Sequence, residues 1–162
     1  RQYWRKPRRQ PTYPRLVIAQ PDQKLRFSVA AVRQDAHGSA ARTKQAEIAL
    51  DTDLKGRADA FNPAELLLAA LAACIIKGIE RVTPTIGFQA RGLEVRVSGV
   101  RQDVPPRMES IEYEIILDTD EDDRRLALLH ENVKRFGTVF NTIAPGTHLT
   151  GVIRRADARS EP

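Results

Sequence analysis

The sequence has very little cysteine and no long apolar run. Its 162 residues include one cysteine, Cys74, which excludes an intrachain disulfide and a multi-cysteine zinc site and favours a reducing compartment. The longest apolar run, residues 66–76, is too short for a membrane span, which takes about 20 residues. No basic segment leads into an apolar, cleavable stretch. We therefore predict a cytoplasmic protein that does not insert into a membrane.

Positive charge is concentrated at the N-terminal end. Six of the 26 basic residues precede the first acidic residue, Asp22, so the remaining 20 face 21 acidic residues. We therefore divide the chain into a basic, proline-rich arm (residues 1–23), a domain (residues 24–155) and a polar tail (residues 156–162). The arm either contacts an anionic partner or has no such role, being a solvated leader or an arm laid across a second subunit; we favour the latter. We do not expect nucleic-acid binding, because the domain itself is not basic.

The clearest predicted element is a helix that starts after Asn62. This residue is a suitable N-cap, the proline after it suits the first helical position, and Glu65 can complete a capping box. Residues 66–76 are all apolar, so we predict that the helix is buried on every side. It should end near Val82, because Pro84 cannot continue it.

Alternating apolar residues predict strands on both sides of this helix. The predicted strands are residues 24–33, 42–50, 92–98, 108–117 and 148–154. A hairpin turn at His37-Gly38-Ser39 should join the first two strands. The resulting order, β-β-α-β-β-α-β, predicts an α+β fold with mostly antiparallel pairing.

A second helix is predicted after the acidic cluster at residues 118–123. Acids at its start and bases near its end complement the helix dipole, and Gly137 is expected to form a left-handed cap. Residues 138–143 should form another short helix.

We predict no metal ion and no cofactor. His37, His130 and His148 fall on a turn, a helix and a strand, and their spacing suggests no shared site. A surface position is expected for His130. The acids at residues 118–123 lack the spaced ligands of a calcium loop.

Two motifs carry a resemblance to a known family. They are Asn62-Pro63-x-Glu65-Leu66-Leu67 and the run from Ala69 to Cys74, supported by residues 127–143. With them the chain resembles the OsmC/Ohr family (osmotically induced protein C and organic hydroperoxide resistance proteins) over roughly residues 24–154. The resemblance implies an OsmC-like fold, with antiparallel sheets around two buried central helices. It also implies an intertwined homodimer with two active sites at the interface.

The resemblance further implies a thiol peroxidase that uses two cysteines, an arginine and a glutamate. Cys74 matches the peroxide-attacking cysteine, whereas Gly137 stands where the resolving cysteine would be. The family's glutamate directly follows the Asn-Pro pair, where this chain has Ala64. Glu65 lies one residue on, about 100° around the helix.

The arginine that would activate Cys74 is expected in the N-terminal strands, with Arg33, Arg42 and Arg57 as candidates. Without such a cation, Cys74 would be an inert, buried residue. Glu65 is a candidate catalytic carboxylate, although its capping role already explains it.

Two functions follow. The first is a one-cysteine hydroperoxide reductase in oxidative-stress defence, in which peroxide oxidises Cys74 and an external thiol reduces it. The alternative is a catalytically degenerate OsmC-like module that binds a small hydrophobic ligand at the dimer interface.

Overall fold

The computed structural model describes residues 24–157. Both the arm and residues 158–162 lie outside the described part of the chain. The described elements are β1 (Ala30–Arg33), β2 (Gly38–Thr43), β3 (Ala46–Asp51), α1 (Pro63–Ile86), β4 (Gly92–Asp103), β5 (Pro106–Asp118), α2 (Asp123–Phe136), α3 (Thr138–Ile143) and β6 (His148–Arg155). The α+β class is confirmed.

The strands form two separate three-stranded sheets. The N-terminal sheet has the order β1-β2-β3 with antiparallel pairing, and Ala31, Ala41 and Ile48 lie side by side across it. The second sheet has the order β4-β5-β6. In this sheet β5 pairs antiparallel with β4 and parallel with β6. The β5–β6 pair is therefore an exception to the mostly antiparallel pairing that the sequence predicts.

The N-terminal sheet differs from its sequence prediction in two places. Only the end of the predicted strand 24–33 pairs, because β2 ends at Thr43 and offers no partner further along. The predicted strand 42–50 is instead a hairpin, since β2 turns into β3 at Lys44 with a φ of 52°. A tight hairpin turn needs residues with positive φ, for which glycine and asparagine are typical. Lysine is not typical of such a turn, so the sequence did not indicate a turn at Lys44.

Helix α1 begins as predicted and ends later. Asn62 Oδ1 accepts the Glu65 amide at 2.9 Å, and Glu65 Oε2 accepts the Asn62 amide at 2.9 Å, which confirms the capping box. The helix passes through Pro84 and stops at Gly87, whose backbone is left-handed with a φ of 62°. A proline so close to the helix end removes one hydrogen bond, whereas the glycine cap terminates the helix.

Gly137 is not the left-handed cap that the sequence suggested. Its backbone is extended, with φ −77° and ψ 112°, and it serves as the N-cap of α3 as well as following α2. Because α3 starts at the next residue, Gly137 takes the extended conformation of an N-cap.

The core lies between α1, α2 and the second sheet. Leu71, Ile75, Ile79 and Val82 form one stripe of α1 and are at most 7% exposed. They pack with apolar side chains of β5 and α2, namely Ile111, Tyr113, Ile115, Leu117, Leu126, Leu129 and Val133. We call α1, α2 and β4–β6 the C-terminal layer.

The opposite side of α1 is not covered by other elements within residues 24–157. Leu67 and Ile76 are 37% and 39% exposed, so the prediction that α1 is buried on every side is wrong for a single chain. We call this the open strip of α1, consisting of Leu67, Ala70, Ala73, Ile76 and Lys77. No helix among residues 24–157 is long and apolar enough to span a membrane.

Candidate functional site

Cys74 lies on α1 beside the junction of α2 and α3. Its side chain is partly buried, and a Cβ atom added to Gly137 would be 3.6 Å from Cys74 Sγ. The same Cβ would lie only 2.9 Å from Phe140 Cβ and 3.1 Å from the Val133 carbonyl oxygen. The site is therefore packed so closely that glycine is the residue that fits opposite the thiol.

A pocket of about 860 Å³ lies on another side of α1, between β3, β4 and the loop that precedes the helix. Most of its wall is apolar, and several wall residues are alanine. The wall residues are Ile48, Ala49, Ala58, Ala60, Phe61, Leu68, Ala69, Ala72, Val95 and Val97. Its size is within the usual range for sites that bind small molecules.

Three charged residues also line this pocket: Arg57, Asp59 and Glu65. Arg57 donates from Nε and Nη2 to the two carboxylate oxygens of Asp59, at 2.6 and 2.7 Å. This hydrogen-bonded ion pair raises the pKa of Arg57 and lowers the pKa of Asp59. Glu65 therefore both caps α1 and contributes a carboxylate to the pocket.

Two residues that sequence reasoning missed hold Arg57 in place. The buried Asp51 carboxylate accepts the backbone amides of Asp53 and Arg57, each at 3.0 Å, which closes the loop before α1. Gly38 lies under the guanidinium, because a Cβ there would clash with Arg57 Nη1. The Asp51 contacts are local, within six residues along the chain, whereas the contact of Gly38 with Arg57 joins distant parts of the chain and leaves no local sequence signal.

The single chain does not bring Cys74 and the pocket together. Ala72 lines the pocket, and Cys74 is two residues further on, about 200° around the helix. Cys74 is a free, partly buried thiol. The open strip of α1 separates the two sites.

The other predicted arginines lie outside the pocket. Arg42, on β2, forms an ion pair with Glu47 across the hairpin, and Arg33 ends β1. Of the three candidates, only Arg57 shares a pocket with Glu65.

A partly buried polar pair near α2 was also missed. Tyr113 Oη and His130 Nε2 are 2.7 Å apart, and the Tyr113 ring packs edge-on against Phe140. Burial raises the pKa of Tyr113 to about 12 and lowers the pKa of His130. His130 is therefore partly buried against Tyr113 and lies between the expected surface position and the core.

Sequence comparison assigns the chain to a family. The family model described as OsmC-like protein matches residues 56–150, which includes α1, Cys74 and Gly137. The chain belongs to the OsmC family. No curated protein sequence matches it.

Solved structures agree with the OsmC fold. An OsmC-like protein from Mycoplasma pneumoniae superposes with a TM-score of 0.77 at 19% identity, covering 82% of this chain and 99% of that one. A putative osmotic stress induced and detoxification response protein from Psychrobacter arcticus gives 0.71 at 21% identity, covering 81% and 98%. An organic hydroperoxide resistance protein OsmC from Legionella pneumophila gives 0.63 at 14% identity, covering 80% and 96%.

Within the described part of this OsmC domain, no group of three or more His, Cys, Asp or Glu side chains is arranged to hold a metal ion.

Proposed function

We propose that this protein is a one-cysteine hydroperoxide reductase that works as a homodimer in the cytoplasm. The observation that carries the proposal is the position of Gly137. It lies against Cys74 Sγ, where the family resemblance expects a resolving cysteine. The thiol position is kept and the resolving thiol is absent, so a reductant must come from outside the chain.

The proposed reaction has two stages. The Cys74 thiolate attacks the terminal oxygen of an organic hydroperoxide, the O–O bond breaks, and the products are a sulfenic acid and an alcohol after protonation. An external thiol then attacks the sulfenic sulfur, which releases water and forms a mixed disulfide. A second thiol of the reductant then attacks the mixed disulfide. This step releases the Cys74 thiol and leaves the reductant oxidised as a disulfide.

The thiolate requires a nearby cation, because Cys74 is too far along α1 to benefit from the helix N-terminus. Arg57 of a second copy is our preferred source, with Arg33 and Arg42 as alternatives. In one chain the pocket with Arg57 and the thiol lie on different sides of the open strip of α1. A second copy packed on that strip can place its own pocket beside Cys74.

The uncovered apolar surface supports such a dimer. Leu25, Phe27 and Val29 are 81%, 83% and 68% exposed beside the N-terminal sheet. Apolar surface of this extent, together with the open strip of α1, is typical of a protein–protein interface.

The test is mass spectrometry of the full chain after brief exposure to cumene hydroperoxide with a sulfenic-acid trap. We expect rapid, stoichiometric trapping at Cys74 that a dithiol prevents, and none in Cys74→Ser. Arg57→Gln should slow trapping at neutral pH, and this loss should shrink at high pH, where the thiol ionises unaided. Absence of trapping at peroxide concentrations that oxidise a free thiol would reject the proposal.

One observation favours the second candidate, a ligand-binding module without catalysis. The pocket of about 860 Å³ is largely apolar and lies apart from Cys74 in the chain. If Cys74 is not trapped, binding in this pocket becomes the function to pursue.

A further inference from the structure

The proposed reaction contains a proton transfer that has not yet been assigned to a residue. When the Cys74 thiolate breaks the O–O bond, the departing oxygen is an alkoxide, a strong base that becomes an alcohol by taking up a proton. The arginine proposed to stabilise the thiolate cannot supply this proton, because a guanidinium stays protonated in proteins. A side chain that releases a proton beside the thiol would speed the step, typically by about 10²- to 10⁴-fold.

Lys77 is the ionisable side chain that lies nearest to Cys74 along α1. Apart from these two, every residue from 66 to 79 is apolar or glycine. Residues three positions apart share one face of a helix, with about 5–6 Å between their Cβ atoms. Long side chains of a helix also lean towards its N-terminus, so Lys77 extends over the turn that carries Cys74. The helix therefore brings one ammonium group close to the thiol.

The surroundings of Lys77 leave its ammonium group available. Lys77 lies on the open strip of α1, and its side chain is exposed. The ion pairs found within residues 24–157 do not include Lys77, not even with Glu80, the closest acid on α1. The neighbouring strip residues Ala70 and Ala73 are small and exposed, so the organic group of a peroxide has room on this side of the thiol.

Two other nitrogen-bearing groups, on the facing helix α2, are already paired. His130 Nε2 lies 2.7 Å from Tyr113 Oη, and Lys134 forms an ion pair with Glu131. Burial also lowers the pKa of His130, so its imidazole is neutral at pH 7 and is not the acid that the alkoxide needs.

We infer that Lys77 is the general acid of the peroxidase reaction and donates the proton that the alkoxide takes up. The inference rests on the proposed function, because it completes the same step at Cys74. In this step the thiolate becomes a sulfenic acid, the alkoxide leaves as the alcohol, and Lys77 becomes a neutral amine. The amine takes a proton back when the second thiol of the reductant releases Cys74 as a thiolate.

Two peroxides with different leaving groups test this role. Cumene hydroperoxide releases an alkoxide, which needs the proton, whereas peracetic acid releases acetate, which is stable without one. The rate at which each peroxide removes the free Cys74 thiol is measured on the full chain by alkylation and mass spectrometry. A proton donor accelerates only the first reaction, whereas a residue that stabilises the thiolate or the fold affects both.

Lys77→Gln should slow the reaction with cumene hydroperoxide by about 100-fold and that with peracetic acid by less than about 3-fold. Lys77→Arg keeps the positive charge but cannot give up a proton, so it should show the same selective loss. Arg81→Gln removes another cation of α1, four residues further along, and Glu80→Gln removes the closest acid. Both control variants should react like the wild type.

Equal slowing with both peroxides, full activity of Lys77→Arg, or wild-type rates in Lys77→Gln would each overturn the inference. If cumene hydroperoxide oxidises Cys74 in the wild type and Lys77→Gln shows no selective loss, the peroxidase stands and only the role of Lys77 is rejected. A wild type that reacts with peracetic acid but not with cumene hydroperoxide would reject the peroxidase itself, and this inference with it.

Discussion

The C-terminal layer and the N-terminal sheet differ in how far their apolar side chains are buried. In the first, Leu71, Ile115 and Leu129 are fully buried at 0% exposure. Beside the second, Phe27 is 83% exposed and Val29 is 68% exposed. The C-terminal layer thus makes its own core, whereas the N-terminal sheet presents apolar surface that the described part of the chain does not cover. The comparison teaches that the C-terminal layer forms a core within one copy, whereas apolar side chains beside the N-terminal sheet stay exposed to solvent.

The largest expected effect tests the completeness of the C-terminal core. Leu129→Ala removes a fully buried side chain between α1 and α2, so it should lower the free energy of unfolding by about 2–5 kcal/mol. Urea denaturation measures this loss. Leu54→Ala, at a position that is fully exposed, is the control and should change stability by less than about 0.5 kcal/mol. Similar losses for both variants would contradict the layer's role as the core.

The second prediction concerns the uncovered sheet. Phe27→Asp places a charge on the apolar side of the segment before β1 and should weaken dimerisation by about 10- to 100-fold, equivalent to about 1.4–2.8 kcal/mol. Sedimentation velocity over a range of concentrations measures the change. Ser28→Asp adds the same charge on the other side of the segment and should leave the dimer intact. If both variants keep the wild-type mass, a second copy does not cover this surface.

The third prediction adds a thiol opposite Cys74. Gly137→Cys should form a disulfide with Cys74 after peroxide treatment, because the new Cβ would lie 3.6 Å from Sγ. The contact with Phe140 should cost about 1–3 kcal/mol in the reduced form. Peptide mapping under non-reducing conditions detects the bond. Gly146→Cys, whose Cβ would meet no atom within 4 Å, should remain reduced; a disulfide there instead would count against the site.

The smallest expected effect is a difference in pKa between two histidines, His37 beside the N-terminal sheet and His130 in the C-terminal layer. Asp53 raises the pKa of His37 above 6.5, mainly through a hydrogen bond, whereas burial lowers the pKa of His130 below 6.5. The stabilisation from His37 is therefore present at acid pH and is lost as pH rises through its folded pKa. That from His130 is present above pH 6.5 and is lost as pH falls.

Nuclear magnetic resonance titration of the imidazoles measures both values. Asp53→Asn should return the pKa of His37 towards 6.5 and leave the pKa of His130 unchanged. Two histidines that titrate on the same side of 6.5 would contradict the environments described here.

Sequence reasoning predicted the elements whose signals are local. The capping box of α1 involves neighbours three residues apart, and the alternation in β5 shows directly which face is buried. Lys44 was missed because its positive φ is imposed by the pairing of β2 with β3, not by residue type. The parallel pairing of β6 was missed because register between distant strands leaves no local pattern.

The candidate site was predictable only in part. Family resemblance pointed to Cys74 and Gly137, and a Cβ atom at position 137 would lie 3.6 Å from Cys74 Sγ. The contacts that hold Arg57 could not be predicted, because one of them comes from Gly38, which lies on a different strand from Asp51. The helical period places Cys74 and Ala72 on different sides of α1. The sequence could not show that this separates Cys74 from a pocket, because the residues that line the pocket come from several elements.

The parallel pairing of β6 with β5 has a consequence for the growing chain. β5 ends at Asp118 and β6 begins at His148, so at 5–20 residues per second the ribosome takes about 2–6 s to supply the missing neighbour. During that interval β5 has an open edge, and its apolar face holds residues such as Ile111 and Ile115. Newly made chains should therefore depend on chaperones most strongly at this stage of synthesis.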